Sequence, residues 1–155
     1  MSDDIPETDD RDPAELIEQS VTHALRLART WTQWDGRPLD FDDRIFTPHK
    51  AIRRTVDHLV DHLAEVEARL AGRPTLVDRW HGSAITTPAD LTAFSEQDLD
   101  EATSRLTRLA QIWSIRLNGL DDERLDRVEG TAWTLRQVAF HVADTYYADA
   151  VGKLG

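Results

Sequence analysis

TPHKAIRRTVDHLVDHLAEVEARL, residues 47–70, is the stretch from which the fold can be read. Thr47 and Pro48 form a helix-start pair: the threonine hydroxyl can accept from an orphan backbone N–H, and proline has no N–H to satisfy. Ile52, Val56, Leu59, Leu63, Val66 and Leu70 then recur at three- and four-residue steps, the period of one helix face, until Gly72 ends the pattern. A long helix with a single apolar stripe must bury that stripe against other helices. His58 and His62 each precede a seam leucine by one residue, so they share one flank of the stripe, neither central to it nor opposite it.

Three further segments repeat the helical period. Asp12 and Pro13 give a second start pair, followed by Leu16, Ser20, His23, Leu27 and Trp31 until DGRP at 35–38 breaks the pattern. Ser95 with Asp98 three residues on reads as a capping box, and Leu99, Ala102, Leu106, Leu109, Trp113 and Leu117 follow before Asn118 and Gly119. The last segment follows Thr131, carries Leu135, Val138, Val142, Tyr146 and Ala150 on one face, and is expected to run to the chain end. No stretch alternates with a period of two for more than a few residues, so the expected class is all-α. Four amphipathic helices are satisfied most economically by a four-helix bundle with one shared core. Residues 73–94 form a long connection between the second and third helices, either a crossover or a cover that places Trp80 and His81 over one end.

At 155 residues the chain is long enough for one domain with a real core, taken as residues 13–155 after an acidic tail at 1–12 that is expected to be disordered. The 29 acidic and 18 basic residues leave a formal charge of −11, which repels phosphate backbones and anionic lipid. Nucleic acid and membrane are therefore not expected partners. The beginning, MSDDIPETDDRDP, has neither the basic nor the apolar part of a signal peptide, so a cytoplasmic location is expected. With no cysteine, there is no disulfide, thiolate ligand or cysteine nucleophile, and any metal is left to histidine, carboxylate and water.

Six histidines are the candidates. His58 and His62 at i and i+4 can both reach one divalent ion, or can line a solvated flank beside Asp57 and Asp61 with nothing bound. His141 favours the first reading. It falls on the inward side of the fourth helix between Val138 and Val142, among Trp133, Phe140, Tyr146 and Tyr147, where an imidazole without a partner is costly. Two histidines from one helix and one from another make the three-protein-ligand set of an open catalytic site. His23 reads as a spare ligand, a donor behind a ligand or a core histidine. His49 lies about 13 Å up the axis from His58, too far to share an ion. His81 is a loop residue that can act as acid or base above a pocket, Asp144 one turn from His141 can ligate or orient it, and Tyr146 can donate to a substrate. Glu-x-x-His, HExxH, Walker, GxGxxG and GxSxG patterns are all absent.

Two stretches resemble the DinB-like superfamily of metal-binding four-helix bundles, which includes mycothiol- and bacillithiol-dependent transferases. NGLDDERLDRVEGTAWTLRQVAFHVADTYYADAV, residues 118–151, is similar to the family's segment in which a Leu- and Asp-rich loop leads to a tryptophan, a helix start and a histidine. Residues 47–70 resemble its helix with histidines at i and i+4. The order of the two halves is exchanged relative to the usual family arrangement, which two similar helical hairpins tolerate. The resemblance implies His58, His62 and His141 as ligands of one divalent ion, zinc or nickel. It further implies a small-molecule substrate and, for some members, transferase or isomerase chemistry with a low-molecular-weight thiol such as mycothiol, whose pKa the ion lowers, while the same site could instead make a hydroxide and act as a hydrolase. The alternative reading is a non-catalytic bundle, metal-bound or metal-free, that serves as an interaction module or homodimer with Trp34 or Trp80 on its contact surface.

Overall fold

The computed structural model describes residues 4–77 and 82–155. They are mostly helical, in keeping with an all-α class, and no helix among them is long and apolar enough to cross a membrane. Three long helices lie where the sequence places them: α1, Pro13–Ala28; α2, Pro48–Leu70; and α3, Glu96–Asn118. Each start is capped as its sequence requires. Asp12 accepts from the Ala14 N–H, Thr47 Oγ1 from the Lys50 N–H, and Ser95 and Asp98 form the reciprocal capping box.

α1 packs on α3, and α2 also packs on α3. The C-terminal segment lies against both α1 and α2. The connection at 73–94 therefore joins helices that touch, which rules out a crossover between non-adjacent ones. Within it, a 3-10 turn at Pro88–Leu91 is closed by a Thr87–Asp90 capping box. Two buried tryptophans tie the layers with their ring N–H groups: Trp113 Nε1 donates to Leu59 O on α2 at 3.0 Å, and Trp31 Nε1 to Gly152 O at 2.7 Å. Gly152, at φ 70 and ψ −158, occupies backbone space that is costly for any residue with a side chain, and it turns the C-terminus onto α1.

Four expectations need correction. The buried face of α1 is Ala14, Ile17, Val21, Ala24, Leu25 and Ala28, so the seam runs one residue away from Leu16, Ser20, His23 and Leu27. The final helix starts later and is broken. After the short α4, Asp122–Leu125, come α5, Leu135–Val142, and α6, Tyr146–Val151. The N-cap of α5 lies three residues beyond Thr131, at Thr134, which forms a capping box with Gln137. The break falls at Asp144 and Thr145, residues whose side chains compete with helical hydrogen bonds: Asp144 Oδ1 accepts from the Tyr146 N–H at 2.9 Å. Consequently Tyr147 is buried and Tyr146 is not.

The fourth correction is a small antiparallel hairpin, β1, Leu39–Phe41, with β2, Arg44–Phe46. Its two-residue turn, Asp42 and Asp43, has φ of 54 and 59, the left-handed pair that the right-handed strand twist favours and that Asp tolerates better than most residues. The strands carry Phe41 and Phe46 against Tyr146, with ring centroids 5.3 and 6.1 Å apart, and the Tyr146 hydroxyl donates to Asp42 Oδ2 at 2.7 Å. The hairpin thus packs on α6 and fixes its first turn.

Candidate metal centre

His58 and His62 stand on adjacent turns of α2, and His141 stands in the last turn of α5, which packs alongside. The three rings meet edge to face, with centroids 4.7 Å (58 to 141), 4.8 Å (58 to 62) and 5.0 Å (62 to 141) apart. One nitrogen from each lies within 4.8 Å of the other two, and among the described residues this is the one such group of three potential ligands. His58 Nε2 and His141 Nε2 are 2.9 Å apart.

Burial sets the charge of these rings. His58 is 6 % exposed, and burial, then the neighbouring His62 and His141, then Arg54 push its pKa down to about 2. His141 is also held low, first by burial and then by His62, with Asp144 and Glu65 opposing. Both imidazoles are therefore neutral near pH 7, the form that offers a lone pair to a metal. The walls are aromatic: Trp133 lies 4.9 Å from the His141 ring and Tyr147 5.7 Å from the His58 ring, centroid to centroid.

His62 Nδ1 donates to Glu65 Oε1 at 2.9 Å, which orients the ring with Nε2 on its other side. Glu65 is held below the usual carboxylate range, chiefly by that hydrogen bond. Behind it, Arg69 donates to Glu65 and to Glu129, each at 3.4 Å, and Arg124 donates to Glu129 at 2.9 Å. A chain of alternating charge thus runs from the surface to the back of a candidate ligand.

The donor set fits a divalent ion of the zinc class. Three imidazole nitrogens converge, two of them on rings held neutral, one ring has a carboxylate behind it, the chain has no cysteine, and no carboxylate joins the group among the described residues. Nitrogens at about 2.05 Å from a tetrahedral centre sit roughly 3.3 Å apart, so His58 and His141, at 2.9 Å, have to part slightly and pairs spread as far as 4.8 Å have to close. Both adjustments are ring rotations of the three imidazoles.

The other sequence candidates lie elsewhere. His23 is neither core nor behind a ligand: its Nε2 is 2.7 Å from Asp149 Oδ1 at the α1–α6 surface. His49 Nε2 donates to Ala93 O at 3.0 Å, away from the three histidines, as its distance along α2 requires. Asp144 accepts from the Tyr146 N–H at the start of α6 and acts on His141 through its charge, and the Tyr146 hydroxyl donates to Asp42. Trp34 is half-buried, its Nε1 bonded to Arg37 O. Trp80 and His81 lie outside the described residues. A cleft of about 330 Å³ between α2 and α3, lined by His49, Arg53, Asp57, Asp98, Glu101 and others, includes none of the triad.

Glu65 and Arg54 are the neighbours that sequence reasoning passed over. Glu65 had a signal, the i, i+3 spacing from His62, and Arg54 had the i, i+4 spacing to His58. Tyr147 was expected among the aromatic surroundings of His141, but an unbroken helix places Tyr146 rather than Tyr147 on the inward face. No family model, curated protein or solved structure matches this chain.

Proposed function

We propose that the chain is a DinB-like four-helix bundle that holds one divalent ion, zinc or nickel, on His58, His62 and His141, and that it acts as a metal-dependent enzyme on a small molecule. The convergence of three imidazole nitrogens within 4.8 Å, two of the rings held neutral, is the observation that carries this reading. The helix pairing supports the bundle: α1 and α2 each lie against α3 and against the C-terminal segment, a cyclic arrangement of four. The two ligand-bearing helices are neighbours in space although their order along the chain is exchanged relative to the family, so the permutation leaves the centre intact.

A low-molecular-weight thiol of the mycothiol type is the proposed co-substrate. A divalent ion bound here supplies the acidity that turns such a thiol into a thiolate near pH 7, in a chain without a cysteine of its own. The residues of the chain have definite tasks around that chemistry. Glu65 fixes the tautomer and angle of His62. Trp133 and Tyr147 keep water from the inner faces of His141 and His58 and lower the local dielectric. His62, whose side chain is 23 % exposed, marks the open side where a ligand enters.

The test is a thiol-consumption assay with mycothiol and an electrophile. Activity should vanish on chelation, return with zinc or nickel, and fall by about 100-fold or more in His58→Ala, His62→Ala and His141→Ala, while His49→Ala stays within about twofold. Activity indifferent to chelation contradicts the proposal.

A further inference from the structure

α2 turns a polar ladder into the protein. Lys50, Arg54 and His58 follow one another at four-residue spacing and are only 1 %, 6 % and 6 % exposed, and His62 continues the series. Two buried cations on the face that leads to a metal centre require an explanation, because each costs several kcal/mol to desolvate unless it is well paired. Lys50 has one. Its ammonium donates to Ile45 O at 2.6 Å and to Thr86 Oγ1 at 3.2 Å, and sits 4.9 Å over the Phe46 ring, so it pins the hairpin and the 73–94 connection onto α2.

Arg54 is placed differently. Its Nε donates to Ser83 Oγ at 3.1 Å, its Nη1 donates to Asp57 Oδ2 at 3.0 Å, and its guanidinium lies 5.4 Å over the Tyr147 ring. Tyr147 packs its ring against His58, and Ser83 Oγ reaches its hydroxyl at 3.4 Å. Arg54, Ser83, Tyr147 and His58 are thus one contiguous group drawn from α2, the 73–94 connection and α6. Asp57, the carboxylate bonded to Arg54 among the described residues, is 34 % exposed, so solvent screens it while the guanidinium, 8 % exposed, stays shielded. An ion on these three imidazoles adds two further positive charges, against the carboxylates of Glu65 behind His62 and Asp144 near His141. The inner end of the site is electropositive in a chain whose net charge is −11.

We infer that the ligand of this centre carries a carboxylate, which Arg54 receives beside Ser83 and Tyr147 while the ligand's other end faces His58, His62 and His141. A guanidinium presents a planar fork that matches a carboxylate, and the adjoining hydroxyls of Ser83 and Tyr147 can complete the oxygen's hydrogen bonds. A neutral ligand cannot use that fork as a carboxylate does. The inference rests on the metal reading and adds the substrate class to it.

The test uses the full chain loaded with cobalt(II), whose thiolate charge-transfer band reports binding directly. The probes are 3-mercaptopropionate and 3-mercapto-1-propanol, the same thiol with and without the carboxylate. The acid should bind at least about tenfold more tightly than the alcohol. Arg54→Met should bring the two within about twofold of each other while cobalt uptake stays unchanged, and Arg54→Lys should fall between. Equal affinity of acid and alcohol for the unmutated protein overturns the inference without recourse to any variant. An acid preference that persists undiminished in folded Arg54→Met, or in Arg54→Lys if the methionine variant does not fold, overturns it too, because chelation of the ion then explains the preference. Failure of the unmutated protein to take up cobalt overturns the metal reading itself, an outcome distinct from cobalt uptake without acid preference.

Discussion

Acid titration of the metal-free protein exposes the cost of keeping His58 neutral. Its ordinary pKa is near 6.5, and in the fold it is pushed down to about 2 by burial, by His62 and His141, and by Arg54. The unfolded chain takes up a proton near pH 6.5 that the fold refuses, so the unfolded state binds more protons and stability falls as pH drops from 6.5 toward 2. One proton is worth roughly 1.4 kcal/mol per pH unit below 6.5, which makes the loss from His58 about 2 kcal/mol between about pH 7 and about pH 5. His58→Leu removes that titration and fills a similar volume beside Leu59. The stability difference between variant and parent should therefore move by about 2 kcal/mol in the variant's favour over that interval. Urea unfolding in the presence of EDTA, followed by far-UV circular dichroism at several pH values, measures it. Carboxylate titrations shared by both proteins cancel in the comparison. His141, also held low, leaves the variant a residual slope in the same direction. Parallel stability curves for the two proteins would refute the buried, neutral triad.

Three further outcomes follow from particular contacts. Glu65→Gln should weaken zinc binding by about 10- to 100-fold in a calorimetric titration, while thermal stability changes little, because the amide orients His62 less firmly than the carboxylate does. Asp90, 2 % exposed, is bonded to Arg53 at 2.8 and 3.1 Å and accepts from the Thr87 N–H at 2.9 Å; burial works to raise its pKa, but these hydrogen bonds outweigh it and hold the carboxyl below its ordinary 3.8. Asp90→Asn should cost about 3 kcal/mol near neutral pH, and because a depressed carboxylate stabilises only above its folded pKa, that difference should shrink in urea melts as pH falls below about 4. Asp43→Gly should raise the melting temperature, by up to about 1 kcal/mol of stability, since φ of 59 costs glycine nothing and Asp42 keeps its bond to Tyr146.

The three long helices were legible because each carries its own start signal and a sustained period, as Thr47, Ser95 and the α2 seam show. His58, His62 and His141 were brought together by the same logic, two residues on one helix flank and one on the inward side of another. What escaped the sequence depends on tertiary context. The α1 face is offset by one residue because Ile17 and Val21, rather than Leu16 and Ser20, meet α3 and the C-terminal segment. The break at Asp144 follows from a local side-chain bond that competes with the helix, and it alone decides that Tyr147 rather than Tyr146 stands beside His58. The hairpin did have a signal in LDFDDRIF, two short apolar pairs around an Asp-Asp turn, but three-residue strands lie below the length at which alternation can be distinguished from chance. The burial of Arg54 and Lys50 had no signal, because nothing in the apolar period of α2 indicates that its polar flank is buried as deeply as its seam.

The claim at the centre of this account is that three histidines hold one ion, and metal stoichiometry tests it most directly. Tag-free protein, reconstituted with zinc or nickel and freed of excess, should carry about one equivalent by elemental analysis, and His58→Ala, His62→Ala and His141→Ala should each fall to a small fraction of that while His49→Ala retains it. Less than about a tenth of an equivalent in the unmutated protein, or equal loss in all four variants, contradicts the account.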